Sequence, residues 1–583
     1  CVLVLWSRRS AGFEGQFVQD EASRAIRRGT YLPVLLDDVE LPLGFGAVQA
    51  HPMVGWQGNV RDPRLLALLD RVATQLERPH TPPTTAAQGP AIGRRALLAA
   101  GGLAVGAGAL LLLSPSVRSR MGLSANSQQQ LTLAVLPFRP LAQGAEVELL
   151  AEGLTEEMRT ALARSGLIQV AARTSSDSFA GSDLGAPEIA ARLNVDWLLA
   201  GSVRVIEGRA RVTAALARAD TGLETWSDSF DHGMDDLIAM QQGIATSVAT
   251  ALVGKLGPEA AAAAGRVPTQ NEQAYGAYLR GRRLLDQATS EASDRAALAE
   301  FDMAIGLDPA FARAHAARAR ALQALANASV SDIERESLVQ AALAAARTAV
   351  ARDPEDPSAR STLGFVLMYG LLDFPAARTA FEAAHGLAPR DADILVRHGL
   401  FHVRAGDMKT GLQSLTLATR LDPYNPRAFR AHALALYAAR RHEDSMAEIR
   451  KGLALNPELS AAQTIIGDNL LARGDAAGAR DAYAREPQDF NRLTGLAIAH
   501  HRLGERSPAD AAYAGLVGLG NSVAFQRAQV LAQWGRPDAA MDSLMLAVRL
   551  RDGGVALLRD DPFLDPLRNR PDFRALQRSL ALA

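Results

Sequence analysis

The sequence predicts a multidomain chain in which α/β units are followed by an all-α solenoid. Three observations predict it. The chain has 583 residues, several times the usual domain of about 100–150 residues. Two stretches alternate short apolar strands with amphipathic helices, the pattern of α/β units. From about Asn271 onward, prolines recur at near-fixed spacing between short helical segments.

The balance of 62 Lys+Arg against 63 Asp+Glu gives a formal net charge of −1, which leaves no electrostatic footprint for general nucleic-acid binding. The lysines are Lys255, Lys409 and Lys451, so nearly all basic residues are Arg; with abundant Ala and Gly this suggests a GC-rich bacterial gene. The single cysteine, Cys1, excludes an intramolecular disulfide or a cysteine metal cluster. Position 1 is not Met and opens on the apolar run CVLVLW, so a fragment lacking its N-terminus is expected.

The first 78 residues read as half of a parallel α/β domain. Val2 to Leu5 and Tyr31 to Leu36 are strands, Gln16 to Arg28 a helix closed by Gly29, and Pro63 to Leu76 a second helix. Linkers over 79–95 and 114–130 flank an uncharged run from Ala96 to Leu113, ALLAAGGLAVGAGALLLL. As a helix this run would span about 27 Å, close to the roughly 30 Å hydrocarbon core, so one transmembrane helix is expected over 96–113. Arg94 and Arg95 on one side and Arg118 and Arg120 on the other leave its orientation nearly tied. Within it Gly102 and Gly106 form a G-x-x-x-G pair that would let two helices approach as a membrane dimer. The richness in Gly and Ala makes an accidental spacing an equal alternative.

Residues 131–256 read as a second α/β unit. Leu131 to Pro137 and Leu167 to Ala172 are strands around a helix from Glu146 to Arg164. A β-rich stretch then turns at Glu207-Gly208 and Thr221-Gly222, and a helix runs from Met234 to Leu252. Trp197 and Trp226 fall on these strands, where aromatics serve packing more often than ligand binding. After a linker over 257–270, Pro309, Pro354, Pro389, Pro423 and Pro457 are separated by 45, 35, 34 and 34 residues. A 34-residue period of paired helices is the tetratricopeptide signature. LDP, LAP, LDP and LNP at 307, 387, 421 and 455 each end a second helix, because proline cannot continue it. Gly364, Gly399 and Gly467 allow close helix approach. Gly406-Asp407, Gly474-Asp475, Gly504-Glu505 and Gly535-Arg536 mark turns, and the interval of 45 implies an insertion near Ser329 to Glu336. The array over 271–583 is expected to leave a concave face for a protein partner.

The residues VLVLWS, FVQDEASRAIRRGTYLPVLLDDVELPLGF and Gly55-Trp56 give residues 1–78 a resemblance to the C-terminal part of a bacterial Toll/interleukin-receptor (TIR) domain, which implies a partial flavodoxin-like fold. The resemblance makes Glu21 the candidate catalytic residue and NAD the candidate substrate, since active members cleave the nicotinamide–ribose bond with a glutamate so placed. A fixed carboxylate there stabilises an oxocarbenium-like ribose or orients its hydroxyl. Phe17 stands where the family commonly has Trp, and the family's first two strands and nucleotide-closing loop are missing, so this chain is expected to be inactive as an NAD+ nucleosidase. The plainer assignment for Glu21 is an exposed helix acid pairing with Arg24 or Arg28.

Residues 131–256 resemble the TolB amino-terminal-like domain, through LAVLPF, LAEGLTEEMRTAL, VAARTSS, IAARLNVDWLLAGSV and GLETWSDSFD. The last stretch, LLRDDPFLDPLRNRPDFRALQRSL, resembles the end of the repeat arrays in such regulators and is expected to cap the solenoid. His398 and His402, and the adjacent His500 and His501, lack a zinc-protease context and are read as packing residues, so no metal is expected.

These readings together predict a single-pass bacterial inner-membrane protein, with the TIR part cytoplasmic and the TolB-like unit and repeats periplasmic. The array would bind a protein partner while TIR self-association, as a homodimer or higher oligomer, carries the signal. The alternatives are an oligomerisation-activated NAD-cleaving enzyme using Glu21, and a nonenzymatic regulator in which the array alone acts. A transcription regulator is disfavoured because no basic recognition helix is present. The groove residues of the array are not assigned by the sequence.

Overall fold

The computed structural model describes residues 2–7, 22, 25, 31–39, 50–54, 56, 62–65, 67–68, 71–72, 131–142, 144–164, 168–233, 237–253, 269–286, 291–328 and 332–582. It divides into a unit over Cys1–Ala125 and a larger one over Asn126–Ala583.

In the first unit, strands β1 (Val2–Trp6), β2 (Tyr31–Leu35) and β3 (His51–Pro52) form a parallel sheet in the order β1-β2-β3. Val4, Trp6, Leu32 and Val34 are buried, and the uninterrupted apolarity of β1 suits a strand covered on both faces. Ala22 and Ala25 are helical and buried.

The second unit opens with a six-stranded mixed sheet. Strands β4 (Leu131–Val135) and β6 (Ile168–Val170) are parallel, as are β4 and β7 (Trp197–Ile206); β5 (Arg139–Pro140) also pairs with β7. Strands β8 (Arg209–Arg218) and β9 (Glu224–Gly233) continue antiparallel. Glu207 and Gly208, at φ 49° and 74°, make the tight turn between β7 and β8, the left-handed pair that a two-residue hairpin requires. Helices α1 (Ala145–Arg164) and α4 (Leu237–Val253) cover one face, burying Leu154, Met158, Ile244 and Val248 against Leu133, Leu199 and Val212. On the other face Phe179, after the short α2 (Arg173–Asp177), and α3 (Ala186–Leu193) pack against Ala134 and Leu198. Trp197 and Trp226 are half-buried against the sheet core, with the Arg218 guanidinium 6.0 Å from the Trp197 ring.

Antiparallel helix pairs follow. They are α5 (Glu272–Asp286) with α6 (Glu291–Leu307), α7 (Ala312–Ala328) with α8 (Asp332–Arg352), α9 (Pro357–Gly370) with α10 (Phe374–Leu387), and α11 (Ala392–Arg404) with α12 (Met408–Leu421). The series continues with α13 (Pro426–Ala438) and α14 (His442–Leu455), α15 (Ala462–Ala472) and α16 (Ala476–Ala484), α17 (Asp489–Arg502) and α18 (Arg506–Gly518), and α19 (Ala524–Gln533) and α20 (Pro537–Arg549). Helices α6, α10, α12 and α14 end at Leu307, Leu387, Leu421 and Leu455, each two residues before its proline. Asp356, Asp373, Asp391, Asp407, Asn425 and Asp475 cap the next helix by accepting from its first N–H groups. At Gly399 a methyl group would stand 2.9 Å from the Gly411 carbonyl and 2.7 Å from Leu415, so the crossing of α11 and α12 requires glycine. The long proline interval is carried in helix length: α7 and α8 have 17 and 21 residues where α9 and α10 have 14 each.

The structure corrects the predicted architecture in one respect. The chain is mostly helical and dominated by the repeat solenoid, and among the described residues no helix is long and apolar enough to cross a membrane. Helices α1 and α8 have the length, at 20 and 21 residues, but carry charges along it; α4 is uncharged but has only 17 residues and a Gln-Gln pair. The expected span over 96–113 lies outside the described residues. The predicted transmembrane helix and the single-pass inner-membrane placement are therefore withdrawn.

Candidate functional site: the repeat groove and the segment that occupies it

After α20 the chain turns back and lies against first helices of earlier repeats. It makes two 3-10 turns, Gly553–Leu557 and Pro562–Leu567, followed by α21 (Pro571–Ser579). Val555, Leu558, Leu564, Leu567 and Phe573 share one core with residues such as Val366 of α9, Phe401 of α11 and Phe525 of α19. The solenoid therefore curls until its end meets its middle.

Polar anchors fix the register. Arg404, at the end of α11, pairs with Asp560, and both side chains are buried, at 7% and 3% exposed. Arg440 forks both oxygens of Asp565 at 2.6 Å, and Arg551 reaches Glu336 at 2.6 Å. Gln529 donates to Asp561 at 2.6 Å, and Gln533 to the Phe563 carbonyl at 2.7 Å. Burial pushes the Asp560 carboxyl up despite Arg404, and pushes Asp561 up to about 6 although the Phe563 N–H and Gln529 donate to it. A segment expected from its sequence to shield the solenoid's end thus also reaches across the groove.

Beside it lies a cavity of about 350 Å³, lined by Tyr437, Arg440, His442, Ile498, Arg502 and Phe563 among others. It combines apolar walls with two guanidinium groups, Arg440 held by Asp565 and Arg502 donating to Gln533. Behind it the Asp468 carboxyl, buried under Tyr483, is pushed up to about 8 although the Tyr483 hydroxyl donates to it at 2.7 Å.

The α/β unit is fixed against the same array. Arg313 of α7 donates to Glu157 of α1 at 2.7 Å, and the Tyr275 hydroxyl donates to Glu157 at 3.1 Å, all three largely buried. Burial would raise the neighbouring Glu156, but Arg282, Arg173 and Arg159 outweigh it and hold the carboxyl at about 2. Further along, Ser175 donates to Asp422 through its N–H at 3.0 Å and its hydroxyl at 2.5 Å, and Phe179 meets Tyr424 edge-on at 5.2 Å.

Of the residues singled out by sequence, Glu21, Gly102 and Gly106 lie outside the described residues. His500 pairs with Glu505 at 2.5 Å and His501 stacks on Trp534 at 5.4 Å. His398 and His402 are brought together with Glu382 of α10, so that one ligand atom from each lies within 4.8 Å of the others. Sequence reasoning missed Glu382, and the Arg404–Asp560 pair, because their partners come from other helices. The signal that was present is Glu382-x-x-His385 on one helix and His398-x-x-x-His402 on the next, at spacings that put each pair on one helical face.

No family model matches the chain. A protein of Rhizobium meliloti (strain 1021) named "Putative adenylate cyclase 3" is 29% identical over 242 residues, which is 41% of this chain and 40% of that protein. The chain thus spans well under half the length of this curated relative. Among solved structures, a thermophilic TPR protein of Thermus thermophilus is 22% identical, with a TM-score of 0.30 over 34% of this chain and 99% of its own. Pseudomonas aeruginosa PilF is 20% identical, with a TM-score of 0.27 over 34% of this chain and 91% of its own. The chain carries a tetratricopeptide-type array, as its own helix pairs and proline period establish.

Proposed function

We propose that this chain is a protein-interaction array whose groove receives an acidic and apolar segment of a protein partner, in competition with its own residues 557–570. The observation that carries the reading is the seating of Asp560 and Asp565 on Arg404 and Arg440. The groove already holds a peptide of the chemistry it would recognise in trans. Replacing both anchors, Asp560→Ala with Asp565→Ala, loosens the segment and leaves the groove arginines in place. A labelled peptide of residues 557–570 should then bind the double variant at least about tenfold more tightly than the unaltered chain, in keeping with the loss of two charge-assisted contacts. Equal binding, or none to a folded double variant, would overturn the reading.

The finer division belongs to the same proposal. Residues 131–256 act as a TolB amino-terminal-like platform fixed to the array, and residues 1–78 as part of a TIR domain that signals by self-association. The parallel β1-β2-β3 sheet supports the TIR resemblance. The enzymatic alternative, NAD cleavage through Glu21, is tested by NAD consumption in clustered protein, against Glu21→Ala. Turnover that depends on Glu21 favours the enzyme, and none in a folded, clustered sample favours the scaffold.

A further inference from the structure

We propose that Glu382, His398 and His402 form a binding site for a divalent transition-metal ion of the zinc class, which clasps two successive repeats. Glu382 comes from α10, the second helix of one repeat, and both histidines from α11, the first helix of the next.

The geometry is that of converging ligands. Zinc bonds of about 2.0–2.1 Å at tetrahedral angles place neighbouring donor atoms roughly 3.3 Å apart. The Glu382 oxygens stand 3.0 Å from His402 Nε2 and 3.5 Å from His398 Nε2. These are short separations, yet neither Nε2 atom has a hydrogen-bond partner, although the two residues are only 2% and 3% exposed. Buried polar atoms are normally paired. Two buried ring nitrogens that face one carboxylate without hydrogen-bond alignment are placed for an ion between them.

The surroundings permit the tautomer such an ion needs. His398 Nδ1 lies 3.0 Å from the Ser414 hydroxyl, and His402 Nδ1 faces Asp407 Oδ2 at 3.4 Å. With a proton on His398 Nδ1, which the Ser414 hydroxyl can accept, the Nε2 lone pair is free for a metal. His385 stacks on His398 with ring centres 4.3 Å apart and walls the site.

Two imidazoles and one carboxylate suit zinc-class ions, whereas calcium and magnesium take oxygen ligands. The Glu382 side chain is 48% exposed, so the ion has a path from solvent and a fourth position open to water. Because the ligands come from two repeats, the bound ion would cross-link them.

The test is titration of the chelator-treated full chain, free of any histidine tag, with Zn2+ alone, and separately with Co2+ as a spectroscopic probe. One ion per chain, the visible band of four-coordinate Co2+, and a thermal midpoint that climbs with Zn2+ are expected. Glu382→Gln, at a half-exposed position, should weaken binding at least about tenfold with an unchanged far-UV circular dichroism spectrum, and His402→Gln should do the same. Failure of the folded chain to take up Zn2+, or uptake that is unaltered in Glu382→Gln, would overturn the proposal.

Discussion

Replacing Arg404 by Ala should release the C-terminal segment from the groove without dismantling the repeats. The substitution leaves Asp560, 3% exposed in its side chain, without its cation. Breaking a buried ion pair from one side costs about 3–5 kcal/mol, because a charge is left in a low-dielectric site. At about 1.4 kcal/mol per tenfold change, the opening equilibrium of residues 551–582 rises by roughly two to three and a half orders of magnitude. Native-state hydrogen exchange read by mass spectrometry on that segment measures this directly, and the helices of the α/β unit serve as an internal control. Burial already pushes the Asp560 carboxyl up, so a proton can replace the lost guanidinium. The effect should therefore shrink as the pH falls. A double change to apolar partners, Arg404→Met with Asp560→Leu, should restore most of the protection, since a packed pair needs no desolvated charge. Unchanged protection in Arg404→Ala would refute the idea that this pair holds the segment in place.

Other perturbations test the same structure. Asp468 is pushed up to about 8 by burial. Its folded-state pKa is raised, so its contribution is full below the unfolded value and is lost as pH rises toward 8; Asp468→Asn should flatten the fall in melting temperature over that range. Glu156 has the opposite sign, held at about 2 against an ordinary value of 4.5. Its contribution is present above pH 4.5 and lost as pH falls toward 2, and Glu156→Gln should remove about 3 kcal/mol of acid-sensitive stability in denaturation at neutral relative to strongly acidic pH. Gly399→Val should destabilise the α11–α12 pair by about 1–3 kcal/mol through overpacking against Leu415 and the Gly411 carbonyl, seen as a lower urea midpoint.

The parts of this fold that were readable in the sequence are those set by local chemistry. The proline after each second helix and the left-handed glycines, such as Gly406 at φ 90° and Gly474 at φ 85°, act within a few residues of themselves, so spacing alone locates them. Strand β8 buries alternate residues, and that alternation is written along the chain. What was not readable depends on which distant helices meet. Arg404 and Asp560 are 156 positions apart, and nothing near either residue announces the other. Glu382 looks like any helix acid until α11 is laid beside it.

The return of the C-terminal segment also bears on how the molecule is made. A repeat solenoid whose units touch only their neighbours can form progressively as it leaves the ribosome. Here Val555, Leu564 and Phe573 complete a core whose other half, Val366 and Phe401, is synthesised more than a hundred residues earlier. Closing contacts so far apart in sequence carries a loop-closure cost and slows the final step. During translation the groove is therefore complete before the segment that fills it exists. A partner present at that moment meets it without competition, so association during synthesis should be faster than association with the finished chain.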